Sequence, residues 1–106
     1  MFDEIVHAPN RLRICAFLAV VREAEFGTLR DELGVADSVM SKHLKVLADA
    51  GYVKVTKPRG SGRVRTWAAL TRAGRKAYED HLWYLQALAA DAARGPGGST
   101  GANSGG

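Results

Sequence analysis

The sequence predicts a mainly α domain with one small β-hairpin (α+β), built around a helix-turn-helix and closed by a long C-terminal helix. Three observations carry that prediction. Val35 to Gly51 (VADSVMSKHLKVLADAG) has the period of an amphipathic helix, and Thr28 to Gly34 just before it reads as a second, shorter helix. Tyr52 to Lys57 and Arg63 to Leu70 alternate and are rich in β-branched and aromatic residues, with a Pro/Gly tip between them. From Thr71 to about Ala93 the chain reads as helical and is apolar on more than one side. The expected domain spans residues 1–93 with roughly three to five helices, and residues 94–106 form a tail.

Residues 2–24 hold one or two helices. FDEIVHA is a short first turn ending near Pro9. Pro9 or Asn10 then opens a longer helix, because proline near a helix start gives up no hydrogen bond. Leu12, Ile14, Cys15, Leu18, Ala19 and Val21 supply its apolar face. Cys15 is the single cysteine. A thiol inside an apolar helical stripe is core material rather than a reactive group. It can form no intramolecular disulfide, which agrees with a reducing compartment.

Thr28 is placed to cap the next helix, with Asp31 at the reciprocal position where Glu or Gln is usual. Leu29 and Leu33 form its inner face, and Gly34 ends it, since glycine accepts the left-handed conformation of a helix C-terminus. Val35 and Ala36 leave Asp37 to cap the helix that follows. Two helices joined by such a short glycine-containing turn make a helix-turn-helix, whose second helix enters the DNA major groove.

That second helix, about Asp37 to Ala50, carries two stripes. Met40, Leu44, Leu47 and Ala48 fall at the spacing of a buried face. Ser38, Ser41, Lys42, Lys45 and Asp49 fall on the other side. A solvated helix mixes charge signs to gain i,i+4 pairs, but here two lysines and two short hydroxyls stand together, with the one acid at the far end. Such a face suits a helix that lies along phosphates with small polar groups at base edges.

The strands Tyr52–Lys57 and Arg63–Leu70 flank a tip, PRGSG, from Pro58 to Gly62. Thr71 is positioned to cap the long helix after them. On that helix Ala73, Ala77, Leu82 (with Tyr78 beside it), Leu85 and Ala89 form one stripe, Tyr84, Leu88 and Ala92 another, and Trp83 lies on a third side. One neighbour cannot cover so much apolar surface, so the helix is expected to pair with a second copy of the chain through Tyr78, Leu82, Trp83, Leu85 and Leu88, alone or with the first helices, the alternative being that it folds entirely onto its own domain. The closing GPGGSTGANSGG cannot form a core and reads as a flexible tail.

Charge is distributed unevenly. Between Met40 and Lys76 there are ten cations and one acid, Asp49, and the rest of the chain has five cations and ten acids. Such asymmetry in a domain of 106 residues implies one polyanion-facing surface. A membrane is not the expected partner, because no basic amphipathic helix with aromatic anchors accompanies the charge. No apolar run approaches a membrane span and no leader pattern opens the chain, so a cytoplasmic protein is expected.

Catalysis and metal binding find no support. The sequence has no Gly-rich phosphate loop, zinc motif or G-x-S-x-G elbow. His7, His43 and His81 fall on three separate elements without ligand spacing, so no metal or cofactor is expected and the three read as structural or solvated. His43, at the edge between the two stripes, is the one placed to touch a phosphate.

The run LGVADSVMSKHLKVLADAGYVKV, a Gly/Arg wing and then WAALTRAGRKAY resemble the winged-helix regulators of the bacterial ArsR/MarR group. The small single-domain type, which opens with a phrase like IVHAPNRLRICAFL, is most similar, and the resemblance covers about residues 2–90. Each motif is degenerate, but their order and spacing together are specific. The paired-cysteine box of the group's metal sensors is missing here. The resemblance implies a homodimeric regulator of transcription, a repressor, on a pseudo-palindromic operator in double-stranded DNA. It places Asp37, Ser38, Ser41 and Lys42 nearest the base edges and Lys45 on phosphate. Where the family often has Ser or Thr, this chain has Ala36, which passes the cap to Asp37 and takes its carboxylate from base reading. Arg59, Arg63 and Arg65, with Lys57, belong to the wing, and arginine suits a narrow minor groove. Thr28 opens the supporting helix, whose N-terminus can hold a phosphate.

Two other readings stay open at this point. A winged helix can serve as a protein–protein module without DNA binding, since fold alone does not give function. A small organic effector could also set DNA affinity from the seam between the long C-terminal helix and the first helices.

Overall fold

A computed structural model describes residues 2–57 and 65–95. Among these residues the order is α1 (Glu4–His7), α2 (Pro9–Val20), β1 (Ala24–Glu25), α3 (Phe26–Leu33), α4 (Asp37–Asp49), β2 (Val53–Thr56), β3 (Trp67–Leu70) and α5 (Arg72–Arg94). The hairpin tip Pro58 to Gly62, with Arg59 and Arg63, and the tail beyond Gly95 lie outside the described residues.

The predicted strands form, each shorter than expected. β2 and β3 pair antiparallel, with Val53 opposite Leu70 and Thr56 opposite Trp67. Arg65 and Thr66 precede β3 rather than belong to it. A third strand, β1, was not foreseen. It pairs Ala24 with Ala68 and Glu25 with Trp67, so the sheet order is β1-β3-β2. Two residues are too few to show alternation, and only their position beside β3 makes them a strand.

Both expected caps in the helix-turn-helix need correction. α3 begins at Phe26, after Glu25, and Thr28 is its third residue. The Phe26 amide donates to the Thr66 carbonyl at 2.8 Å. The sheet edge thus satisfies an amide that a side-chain cap would otherwise take. Asp31 pairs with Arg30 and does not complete a capping box. α4 begins at Asp37 itself, after Ala36, again without a side-chain cap. Asp37 is therefore the first helical residue, where its charge favours the positive helix end. Gly34 does end α3, at φ 68° and ψ 37°, and its amide donates to the Arg30 carbonyl at 2.8 Å.

The core follows the predicted stripes. Ile14, Cys15 and Leu18 of α2, Leu29 and Leu33 of α3, and Met40, Leu44 and Leu47 of α4 are buried together with Val6, Ala24, Val53 and Ala68. Burial, with the Asp3 charge adding to it, pushes the Cys15 thiol up to about 11. It stays protonated at neutral pH and behaves as a small hydrophobe.

α5 docks through contacts that sequence periodicity does not announce. Thr71 caps it as predicted, accepting the Gly74 amide at 2.9 Å, and its hydroxyl donates to the Gly51 carbonyl at 2.6 Å. The Thr71 amide donates to the Tyr52 carbonyl at 3.0 Å. Gly74 lies directly on that carbonyl, and a Cβ there would stand 2.0 Å from the oxygen. On α5 Gly74 and His81 are buried, and of the predicted first stripe Ala77 and Tyr78 pack against the core beside them, whereas Ala73 and Ala89 are exposed.

His7 and His81, expected to be separate, meet. His81 Nδ1 accepts the Asp3 amide at 3.0 Å, and its Nε2 lies 3.0 Å from His7 Nδ1. Because an amide only donates, His81 carries its proton on Nε2 and donates it to His7. The Phe2 ring packs edge-on against His81 and Tyr84 stacks on it. The Asp3 carboxylate accepts the Tyr52 hydroxyl at 2.7 Å. This polar cluster fastens the N-terminal segment to α5 and to the end of the helix-turn-helix.

Candidate nucleic-acid interface

α4 presents the two stripes that its spacing predicts. With Met40, Leu44 and Leu47 buried, Ser38, Ser41, Lys42 and Lys45 are all exposed. Lys45 bonds Asp49 at 3.1 Å on the helix surface. Such an exposed i,i+4 pair is weak and screened by salt, so the lysine can exchange this partner for a phosphate.

A concavity of about 350 Å³ between α4 and β2 joins the helix to the base of the hairpin. Ser41, Leu44, Lys45, Val55, Lys57 and Thr66 are among its walls. It brings Lys57 beside Ser41 and Lys45 although the chain separates them. Arg65, at the hairpin's return, lies 3.5 Å from the Glu25 carboxylate of β1. Arg59 and Arg63 lie outside the described residues. Thr28 is exposed on α3, within the first turn rather than at its cap.

Asp37 is exposed, and its carboxylate is held 2.9 Å from the Arg30 guanidinium. Arg30 also bonds Asp31 at 3.1 Å. The hydrogen bond that Arg30 donates to the Asp37 carboxylate, then the one it donates to Asp31, raises the Arg30 pKa above its ordinary value. The Arg30–Asp37 pair has no signature in the sequence, because i and i+7 across a helix-turn-helix share no helical face; the turn alone brings them together.

His43 is half-buried and turned to the first helices. Arg11 Nη1 lies 3.4 Å from its Nδ1, and Arg11 Nε donates to the Ile5 carbonyl at 2.6 Å. Burial, then the charges of Arg11 and Lys42, lower its pKa. Its ring thus ties α4 to α1 and α2.

On α5 the predicted pairing residues divide. Tyr78 packs against the domain's own core. Leu82 and Leu85 are half-buried, whereas Trp83 is 68% exposed and Leu88 52%. Among the described residues no group of three or more potential ligands could hold a metal ion, and no helix is long and apolar enough to cross a membrane.

Residues 10–89 match the family described as winged helix DNA-binding domain. The chain belongs to that family. An uncharacterized protein of Methanocaldococcus jannaschii is 31% identical over 85 residues, which cover 80% of this chain and 92% of the relative. The structure of a transcriptional regulator homologue from Pyrococcus horikoshii OT3 is similar with a TM-score of 0.78 and 30% identity, over 83% of this chain and 87% of that one. A MarR family transcriptional regulator from Silicibacter pomeroyi DSS shares the fold with a TM-score of 0.65 at 24% identity, over 89% of this chain and 61% of that one. The winged-helix protein described here is accordingly a DNA-binding transcriptional regulator and not an enzyme. The winged-helix family agrees with the order of motifs along the chain.

Proposed function

We propose that the protein is a homodimeric repressor on a pseudo-palindromic operator in double-stranded DNA. α4 enters the major groove, and the basic hairpin, with Lys57, Arg59, Arg63 and Arg65, lies at the adjacent minor groove. The observation that carries this reading is the exposed stripe of Ser38, Ser41, Lys42 and Lys45 on the second helix of a helix-turn-helix. The excess of cations between Met40 and Lys76 supports it. Trp83 and Leu88, exposed on α5, support a contact between two copies. A dimer of this size acts most simply by occluding the site it occupies, hence repression, and it works where the DNA is, in the cytoplasm.

Binding to random-sequence duplex DNA, titrated with salt, tests the core of this reading. The wild-type chain should lose affinity steeply as salt rises. Lys45→Ala should weaken binding about equally on all sequences and lower the salt slope by about one unit. Ser41→Ala or Lys42→Ala should cost about 1–3 kcal/mol per lost base contact and relax the preference at one position. Wild-type binding that is absent or indifferent to salt would favour a protein–protein module instead.

A second reading adds a small organic effector. A cavity of about 280 Å³ between the N-terminal segment and α5, lined in part by Phe2, Tyr52, Ala73 and Ala77, supports it. Its remaining walls are polar, Asp3, Lys76 and Asp80, and it borders α5 and the residues just before α1. DNA affinity that does not change across a panel of small organic acids and amines would remove this reading.

A further inference from the structure

The start of α4 poses an electrostatic problem. Its first residue, Asp37, is an exposed acid on the surface that meets a polyanion. Ala36 before it has no side chain to bond the first-turn amides. A free carboxylate here would repel phosphates. It would also accept hydrogen bonds from base amino groups, cytosine N4 above all.

The Asp37 carboxylate is not free. Arg30 Nη1 donates to Asp37 Oδ1 at 2.9 Å, and Arg30 Nε donates to Asp31 Oδ1 at 3.1 Å. The carbonyl of the same Arg30 accepts the Gly34 amide at 2.8 Å and the Val35 amide at 3.4 Å. One residue therefore grips both sides of the turn. Its backbone closes α3, and its guanidinium holds the first residue of α4. One planar guanidinium holds two carboxylates through different nitrogens, which fixes it more firmly than a single flexible lysine pair, and the arginine keeps its charge at any working pH.

The geometry points to Arg30 as a specificity-determining residue of the DNA-binding surface, which withholds the Asp37 carboxylate from the base edges. This rests on the reading of α4 as the base-reading helix. Arg30 is a positioning residue here: it acts through Asp37 and needs no contact with DNA. An Arg30 that itself bonded a phosphate would leave a different pattern among variants.

Arg30→Gln, Asp37→Asn and the double variant, in the full chain, separate the two. Each is measured for affinity on random-sequence duplex DNA and for the sites it selects from a random duplex pool. Arg30→Gln should lose affinity about tenfold near 0.1 M salt, the scale of one uncompensated charge at the DNA surface. It should also acquire a preference for cytosine at one position of the selected site. In the double variant both effects should vanish, because the carboxylate that causes them is gone. Asp37→Asn alone should bind at least as tightly as the wild type. A loss in Arg30→Gln that persists in full beside Asp37→Asn would overturn the inference and make Arg30 a direct phosphate contact. Unchanged affinity and unchanged selected sites in Arg30→Gln would overturn it too. Lys45→Ala is the reference: if it binds less tightly while Arg30→Gln is silent, only this inference fails. If both are silent, the reading of α4 as the DNA-facing helix fails with it. Circular dichroism on each variant confirms that the helices are intact.

Discussion

Gly74→Ala is expected to destabilise the domain by about 3 kcal/mol, although alanine is the better helix former by about 1 kcal/mol at an ordinary helical position. The reversal comes from one contact. The added Cβ would lie 2.0 Å from the Tyr52 carbonyl oxygen, 2.7 Å from its carbon and 2.9 Å from its Cα. All three are backbone atoms, so no flexible side chain can swing aside. α5 would have to lift from the β2 end of the sheet. Lifting stretches the Thr71 amide bond to the same carbonyl and the Thr71 hydroxyl bond to Gly51, now 3.0 and 2.6 Å. Urea denaturation of the variant beside the wild type measures the effect. Ala73→Gly, on the exposed neighbouring position, should show only the ordinary helix cost of about 1 kcal/mol. A Gly74→Ala variant as stable as the wild type would mean that α5 does not rest on Tyr52.

Leu88→Glu is expected to convert a dimer into folded monomers and to reduce DNA binding from specific to weak and non-specific. Within one chain Leu88 is 52% exposed, so the substitution should leave the monomer fold within about 0.5 kcal/mol. In a two-chain seam the same glutamate would be buried without a partner, which costs several kcal/mol. With tenfold per 1.4 kcal/mol, about 3 kcal/mol weakens association more than a hundredfold. Specific binding falls with it, because one recognition helix reads only a few base pairs. Two helices related by two-fold symmetry would meet half-sites roughly 34 Å apart. Sedimentation with circular dichroism beside it decides the outcome. A folded variant that still sediments as a dimer would move the seam to the first helices, Phe2 to Leu18.

The two variants probe different parts of α5. Gly74 and His81 bury the half that belongs to the domain, whereas Trp83 and Leu88 stand clear on the other. The sequence pattern shows the apolar surplus of this helix but not which residues face inward. A glycine and a histidine score as polar or neutral in any periodicity, yet they form the inner face together with Ala77 and Tyr78. Gly74 is selected by the close approach of a backbone, and His81 by the hydrogen bond it accepts from the Asp3 amide and the one it donates to His7.

Local order was legible in the residues alone. The period of Met40, Leu44 and Leu47, the glycine at position 34, the proline at position 9 and the threonine before Arg72 each act within a turn or two of chain. Periodicity and capping are short-range physics, so they survive without knowledge of the fold. The same holds for the exposed stripe on α4, since burying one face of a helix exposes the other.

What needed the assembled domain is long-range. β1 is a strand because the chain after α2 runs beside β3, and the amide of Phe26 finds the Thr66 carbonyl for the same reason. Thr28 and Asp37 do not cap, because α3 already starts at Phe26 and α4 at Asp37 itself. His7 joins His81 from 74 positions away. None of these pairs has a periodic signature. Each depends on the angle at which two elements dock, and that angle is set by the whole core rather than by the residues that meet.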